Sequence, residues 1–223
     1  MNTWVLGDVH GQYEALKQVI ARSGFDYKRD KLIFLGDVVD KGNGPFECII
    51  ELMAIENKVL ILGNHDAAFA NYLTHTIDAN EWLHEAYTLQ QWIEADKSTK
   101  AIAWQFFSLQ VPYFVDEKNR CFIHGGFVPT QSLEDQEVET FLYDRALWQE
   151  ALRCHPSRLQ TRNDFTEIFI GHTPTVKFGT TIPMLRAGTW NLDTGAGHEG
   201  GRLTIMNVAT KAYVQSDTVT IDR

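Results

Sequence analysis

The sequence predicts an α/β protein built on parallel strands, and three observations support that class. Short apolar runs alternate with amphipathic helical stretches through the first third of the chain. Five apolar runs lead into glycine-bounded motifs: Gly7-Asp8-Val9-His10-Gly11, Gly36-Asp37-Val38-Val39-Asp40-Lys41-Gly42, Gly63-Asn64-His65-Asp66, His124-Gly125-Gly126 and Gly171-His172-Thr173-Pro174. The last part of the sequence is again β-rich.

Thr3 to Leu6 forms the first strand and stops at Gly7. Gln12 to Ala21 follows as a helix, with Ala15, Leu16, Val19 and Ile20 on one face. Lys31 to Leu35 is the second strand. Pro45 opens a helix to about Ile55, with Phe46, Ile49, Ile50 and Met53 facing inward. Lys58 to Leu62 is the third strand, completing a β-α-β-α-β rhythm.

From Ala67 to about Leu109 the chain turns polar and helical, with Trp82, Tyr87, Trp92, Trp104, Phe106 and Phe107 spread through it. This reads as an inserted segment beside the motifs, most of its aromatics packing it onto the core. Cys121 to Ile123 and Glu167 to Ile170 are strands, each running straight into a motif. Between them Glu134 to Leu152 reads as helical. Thr189 to Leu192, Arg202 to Val208 and Ala212 to Gln215 are the remaining strands. No repeat or linker interrupts the chain, so a single domain over residues 1–223 is expected, with the insertion at about 67–109.

The 223 residues carry a formal net charge of −9, which offers no basic stripe to nucleic acid. Cys48, Cys121 and Cys154 are odd in number and far apart, favouring a reducing compartment over a disulfide framework. With the first strand starting near Thr3 and no long apolar stretch, a cytoplasmic protein with no membrane partner is expected.

In open α/β sheets ligands gather beyond the carboxyl ends of the strands, where every motif here falls. Asp, His and Asn side chains far apart in sequence can therefore converge on one rim. Mixed oxygen and nitrogen donors of this kind suit first-row divalent metals.

This ordered set of motifs resembles the metallophosphoesterase superfamily, and within it the PPP-type phosphoprotein phosphatases of bacterial and phage kind. The likeness runs from Gly7 to about Met206 and includes Leu192-Asp193-Thr194-Gly195 and Gly200-Gly201-Arg202-Leu203-Thr204. It implies a four-layer αββα sandwich of two mainly mixed sheets, with a dinuclear metal centre at one edge. By motif, Asp8 and His10 would hold one ion, Asn64, His124 and His172 the other, and Asp37 would bridge both. Manganese is the first expectation, with iron and zinc suiting the same donors.

The implied reaction is direct attack on phosphorus by a hydroxide bridging the ions. His65 would be the general acid, oriented by Asp40, while Arg145 and Lys41 would contact phosphate. Two positions depart from the phosphatase pattern. Lys41 stands where an arginine is usual, keeping the charge but losing the bidentate fork. Asp66 stands where a glutamate is usual, as it does in relatives that split dinucleoside tetraphosphates.

Away from the motifs, His75, His84, His155 and His198 read as surface or structural residues, although His198 in Gly197-His198-Glu199 could touch substrate; Asp193 reads as a structural partner near the site. Arg153, Arg158, Arg162 and Arg186 compete with Arg145. No cysteine-phosphatase loop, Walker loop, His-Glu-x-x-His or Gly-x-Ser-x-Gly is present. The leading expectation is a phosphomonoesterase acting on phosphoserine, phosphothreonine or phosphotyrosine proteins. A dinucleoside polyphosphate hydrolase of the same fold is the alternative, and a non-catalytic metal-binding scaffold is the second.

Overall fold

The computed structural model describes residues 1–74, 86–154 and 165–221. The first sheet has the order β10-β9-β1-β2-β3 and the second β4-β5-β6-β8-β7. Strand β1 (Thr3–Leu6) pairs in parallel with β2 (Lys31–Phe34), which pairs in parallel with β3 (Asn57–Leu60). On the other side of β1, β9 (Thr204–Asn207) and β10 (Tyr213–Gln215) add antiparallel pairs. In the second sheet β5 (Arg120–Ile123), β6 (Glu167–Ile170) and β8 (Thr189–Asn191) run parallel. Antiparallel β4 (Tyr113–Val115) and β7 (Met184–Arg186) form its edges.

Strand alternation explains the layering, because successive side chains point to opposite faces. Val5, Ile33, Phe122, Phe169 and Met206 meet in one buried cluster drawn from both sheets. Phe122 and Phe169 stack there at 4.8 Å and 10°. Their strand neighbours point the other way. Leu6, Leu32, Phe34 and Ile205 meet helices α1 (Tyr13–Ser23), α2 (Pro45–Met53) and α3 (Asn64–Leu73). Cys121, Ile123, Ile168 and Ile170 meet α6 (Val138–Tyr143) and α7 (Ala146–Arg153). The result is the expected αββα order.

Several expectations shift in detail. Ile50 is 42% exposed, and α2 instead buries Phe46, Cys48, Ile49 and Leu52. The stretch from Glu134 to Leu152 is not one helix: it breaks at Asp144-Arg145, between α6 and α7. There the Asp144 carboxylate accepts the Leu147 N–H at 3.0 Å, capping α7, while Gly125 N–H bonds the Phe141 carbonyl at 2.7 Å. Edge strands β4 and β7 were not expected. Three residues each give too little alternation to stand out.

Helices α4 (Ala86–Glu94) and α5 (Lys97–Leu109) carry the aromatic-rich segment. Phe106 and Phe107 are buried and Trp92 packs on the same core, as core-packing aromatics should, while Trp104 is exposed. Trp82, His75, His84, His155, Arg158 and Arg162 lie outside the described residues. No described helix is long and apolar enough to cross a membrane.

Candidate metal centre and active site

The motifs fall where β1, β2, β3, β5 and β6 end, and their backbones press unusually close together. At Gly63 a Cβ would sit 2.1 Å from Asp37 Oδ1, and at Gly171 one would sit 2.1 Å from Asp8 Oδ1. Only glycine lets those two turns approach the carboxylates. Among described non-glycine residues with positive φ are His10 (48°), Asp37 (61°), Asp40 (72°), Lys41 (69°) and His172 (65°). Such conformations are costly for side chains with a Cβ and tend to gather where function demands a fixed aim.

The donors converge. Asp8, Asp37 and His124 can offer ligand atoms within 4.8 Å of one another, and so can His10, Asp37 and His65. Asp37 belongs to both groups, the geometry a bridging carboxylate requires. Asn64 Oδ1 lies 3.0 Å from His124 Nε2 and 2.8 Å from His172 Nδ1, and His172 N–H donates to Asp8 Oδ2 at 3.0 Å. All six expected ligands therefore meet at one place. Asp8 thus lies beside His124, and His65 lies close to His10 and Asp37.

Hydrogen bonds orient the imidazoles. His10 Nδ1 donates to the Val39 carbonyl at 3.0 Å and His124 Nδ1 to the Leu35 carbonyl at 2.8 Å. Each thereby turns Nε2 toward the cluster, as metal-binding histidines commonly do. Lys41 donates to His10 Nε2 at 3.0 Å rather than standing apart as a phosphate contact. His65 Nδ1 lies 2.6 Å from Asp40 Oδ2, so its Nε2 is the nitrogen available to a leaving group.

Burial concentrates charge here. Burial, with Asp193 and Asp37 nearby, raises the Asp8 carboxyl well above its ordinary range. Burial and Asp37 push Asp66 to about 6, and burial raises Asp193 to about 6 despite Lys41. Although burial opposes a charged imidazole, Asp37 and Asp8 drive His124 up to about 10. His172 goes the other way, to about 2, through burial and the cationic His124 and Arg145. At His65 burial is outweighed by Asp37 and Asp40, which raise it. A divalent cation at this point would compete with protons for the imidazole nitrogens.

The donor set fits such ions on independent grounds. Asp8 Oδ1 and His172 Nε2 are buried with no hydrogen-bond partner, a costly state that coordination would relieve. The cluster forms the floor of a cavity of about 120 Å³ lined by His10, Asp37, Asn64, His65, His172 and Asp193, with Lys41, Arg145, Lys177 and His198 around them. Arg145 is thus at the site, brought there by the break before α7; Arg153 and Arg186 do not line this cavity.

Sequence reasoning missed several contributors. The Asp66 carboxylate accepts N–H groups of Asp37 (2.9 Å), Val38 (2.8 Å) and Val39 (3.3 Å), holding the loop that aims Asp37. Thr88 of α4, fully buried, accepts the Asp40 N–H at 3.1 Å. His198, read as surface or structural, lines the cavity, and Lys177 lines it too. Asp66 had a sequence signal in its place in a motif, and His198 in the Gly197-His198-Glu199 stretch.

Residues 1–208 match the model of the calcineurin-like phosphoesterases. The chain belongs to that family. Among related calcineurin-like phosphoesterases, a symmetrical bis(5′-nucleosyl)-tetraphosphatase of Pseudomonas fluorescens is 29% identical over 154 residues, 66% of this chain and 53% of the relative. One of the same name from Methylobacillus flagellatus is 30% identical over 148 residues, 64% and 51% of the two chains. The chain spans about half the length of these curated relatives.

In fold, the chain is similar to a solved putative diadenosine tetraphosphatase, with a TM-score of 0.73 at 16% identity, covering 98% of this chain and 94% of that one. It is also similar to a serine/threonine phosphatase from Saccharomyces cerevisiae, with a TM-score of 0.63 at 14% identity, covering 100% and 81%.

Proposed function

We propose that this calcineurin-like phosphoesterase is a metal-dependent hydrolase of dinucleoside polyphosphates that cleaves tetraphosphates symmetrically. The observation that carries this reading is a buried donor cluster sharing one carboxylate, in a chain whose curated relatives are named for that substrate. Asp8, His10, Asp37, Asn64, His124 and His172 would hold two divalent ions, manganese first among them, with Asp37 reaching both. Bound there, the ions supply Lewis acidity and lower the pKa of a coordinated water.

The remaining work falls to side chains. Arg145 grips phosphoryl oxygens, and its planar fork fixes their orientation. Lys41 donates to the His10 nitrogen that would hold an ion, so with the ion bound its ammonium would be left to contact phosphate. His65 Nε2 donates a proton to the departing oxygen, while Asp40 fixes the ring through Nδ1. A nucleoside diphosphate leaves more readily than an alkoxide, so this acid matters least for the proposed substrate.

The test is a comparison of kcat/KM for diadenosine tetraphosphate with a panel of phosphoserine, phosphothreonine and phosphotyrosine peptides, with manganese added. The tetraphosphate is expected to win by about tenfold or more, a difference of about 1.4 kcal/mol in transition-state binding. Preference for a peptide would restore the phosphoprotein reading. Metal binding without turnover of either substrate would favour a non-catalytic scaffold.

A further inference from the structure

Three basic side chains and a further histidine gather around the donor cluster. The chain carries a net −9, yet Lys41, Arg145 and Lys177 all line this one small opening, with His198 among them. Arg145 lines the cavity together with His172, and Lys177 lines it together with His198. Lys41 joins them with its ammonium 3.0 Å from His10 Nε2.

The lining at Lys177 and His198 is held in place by packing. Lys177 sits on a single 3-10 turn, Thr175–Phe178, that directly follows the His172 motif. Thr175 N–H donates to the Asp193 carbonyl at 2.8 Å, and Phe178 packs against the buried Trp148 of α7 at 6.4 Å. Val176 presses on Gly195, whose carbonyl accepts the His198 N–H at 2.8 Å. The backbone at Gly197 in turn lies against the His10 ring and the Lys41 stem. One packed unit thus places Lys177 and His198 beside the donor cluster.

Size then decides what such a lining can read. At about 120 Å³ the cavity is far below the roughly 300–1,000 Å³ that encloses a drug-sized ligand. A space of this size suits phosphate groups better than a whole dinucleotide. We infer that Lys177, His198 and Lys41 form a second phosphate subsite that binds the non-reacting phosphates of a linear oligophosphate chain. This inference rests on the phosphoanhydride-substrate reading above and makes phosphate number, not the base, the recognised feature. Anchoring the distal phosphates also sets which phosphorus meets the donor cluster, and so where the chain is cut.

The test uses the full chain carrying Lys177→Gln with His198→Gln, with Lys177→Arg as the conservative control. Calorimetry in a fixed excess of magnesium compares inorganic tripolyphosphate with orthophosphate, and chromatography follows the products of diadenosine tetraphosphate. Losing a charge-assisted contact is expected to weaken tripolyphosphate binding about tenfold or more. Orthophosphate should lose less, Lys177→Arg should restore most of the affinity, and products should shift from diphosphate toward mono- plus triphosphate. Equal losses for both anions, or no loss, would overturn the subsite. If the wild type prefers phosphopeptides yet binds tripolyphosphate through Lys177, the substrate reading falls and the subsite stands. If tetraphosphate is the preferred substrate but the double variant binds and cuts as the wild type does, the subsite falls alone.

Discussion

Asp66 never faces the cavity donors directly, yet it holds the backbone of residues 37–39 by three N–H groups and also accepts Gln110 Nε2 at 2.7 Å. Asp66→Ala should strand those buried donors and cost about 1–3 kcal/mol in a denaturant titration. It should also weaken metal affinity by about 10–100-fold, as loss of an outer-shell support commonly does. Asp37→Asn should act more directly, abolishing turnover and lowering the metal content of both positions, because both donor groups share that residue. His65→Asn should leave metal content nearly intact. It should slow alkyl phosphates by about 10²–10⁴-fold while activated aryl esters lose far less. Equal loss on both ester types would show that His65 is not the acid.

Helix α4 reaches the catalytic loop through Thr88, which holds the Asp40 N–H, and through Gln91, whose side chain bonds the Asn43 carbonyl at 2.5 Å. Thr88→Val should cost about 1 kcal/mol of stability and reproduce in part the leaving-group dependence of a His65 variant, while Thr88→Ser restores both. On the second sheet, Arg120 of β5 donates from Nε to Asp116 at 2.7 Å and from Nη1 to the Val208 carbonyl at 3.2 Å, tying the sheet to the segment after β9. Burial opposes ionisation of Asp116, but Arg120 and backbone N–H groups outweigh it and lower the carboxyl below its ordinary value. Because the folded pKa is depressed, its stabilisation is complete above the unfolded value of about 4 and is lost as pH falls through the folded value. Chemical denaturation across pH 2–7 should therefore show an acid loss that Asp116→Asn flattens. Arg120→Ala should cost about 3–5 kcal/mol at neutral pH.

The parallel strands and the rim they build were legible because each buried strand is a run of apolar residues ended by a glycine motif. Position in an α/β sheet then fixed where Asp8, Asp37, Asn64, His124 and His172 would meet. The break that delivers Arg145 was harder to read, since Asp144 sits inside an otherwise helical pattern and only the cap geometry shows that it ends one helix and starts another. Thr88 and Lys177 were not legible at all, and His198 only as a residue able to touch substrate: their places come from tertiary proximity, which no local spacing encodes. The positive φ values at His10, Asp37, Asp40, Lys41 and His172 are equally silent in sequence, because surrounding contacts impose them. At the scale of the whole molecule, two sheets of separate origin supply one donor set. Elemental analysis of purified, catalytically active protein tests that claim most directly. About two divalent transition ions per chain, lost together in Asp37→Asn, is the predicted result; undiminished turnover in protein containing no such ion would contradict it.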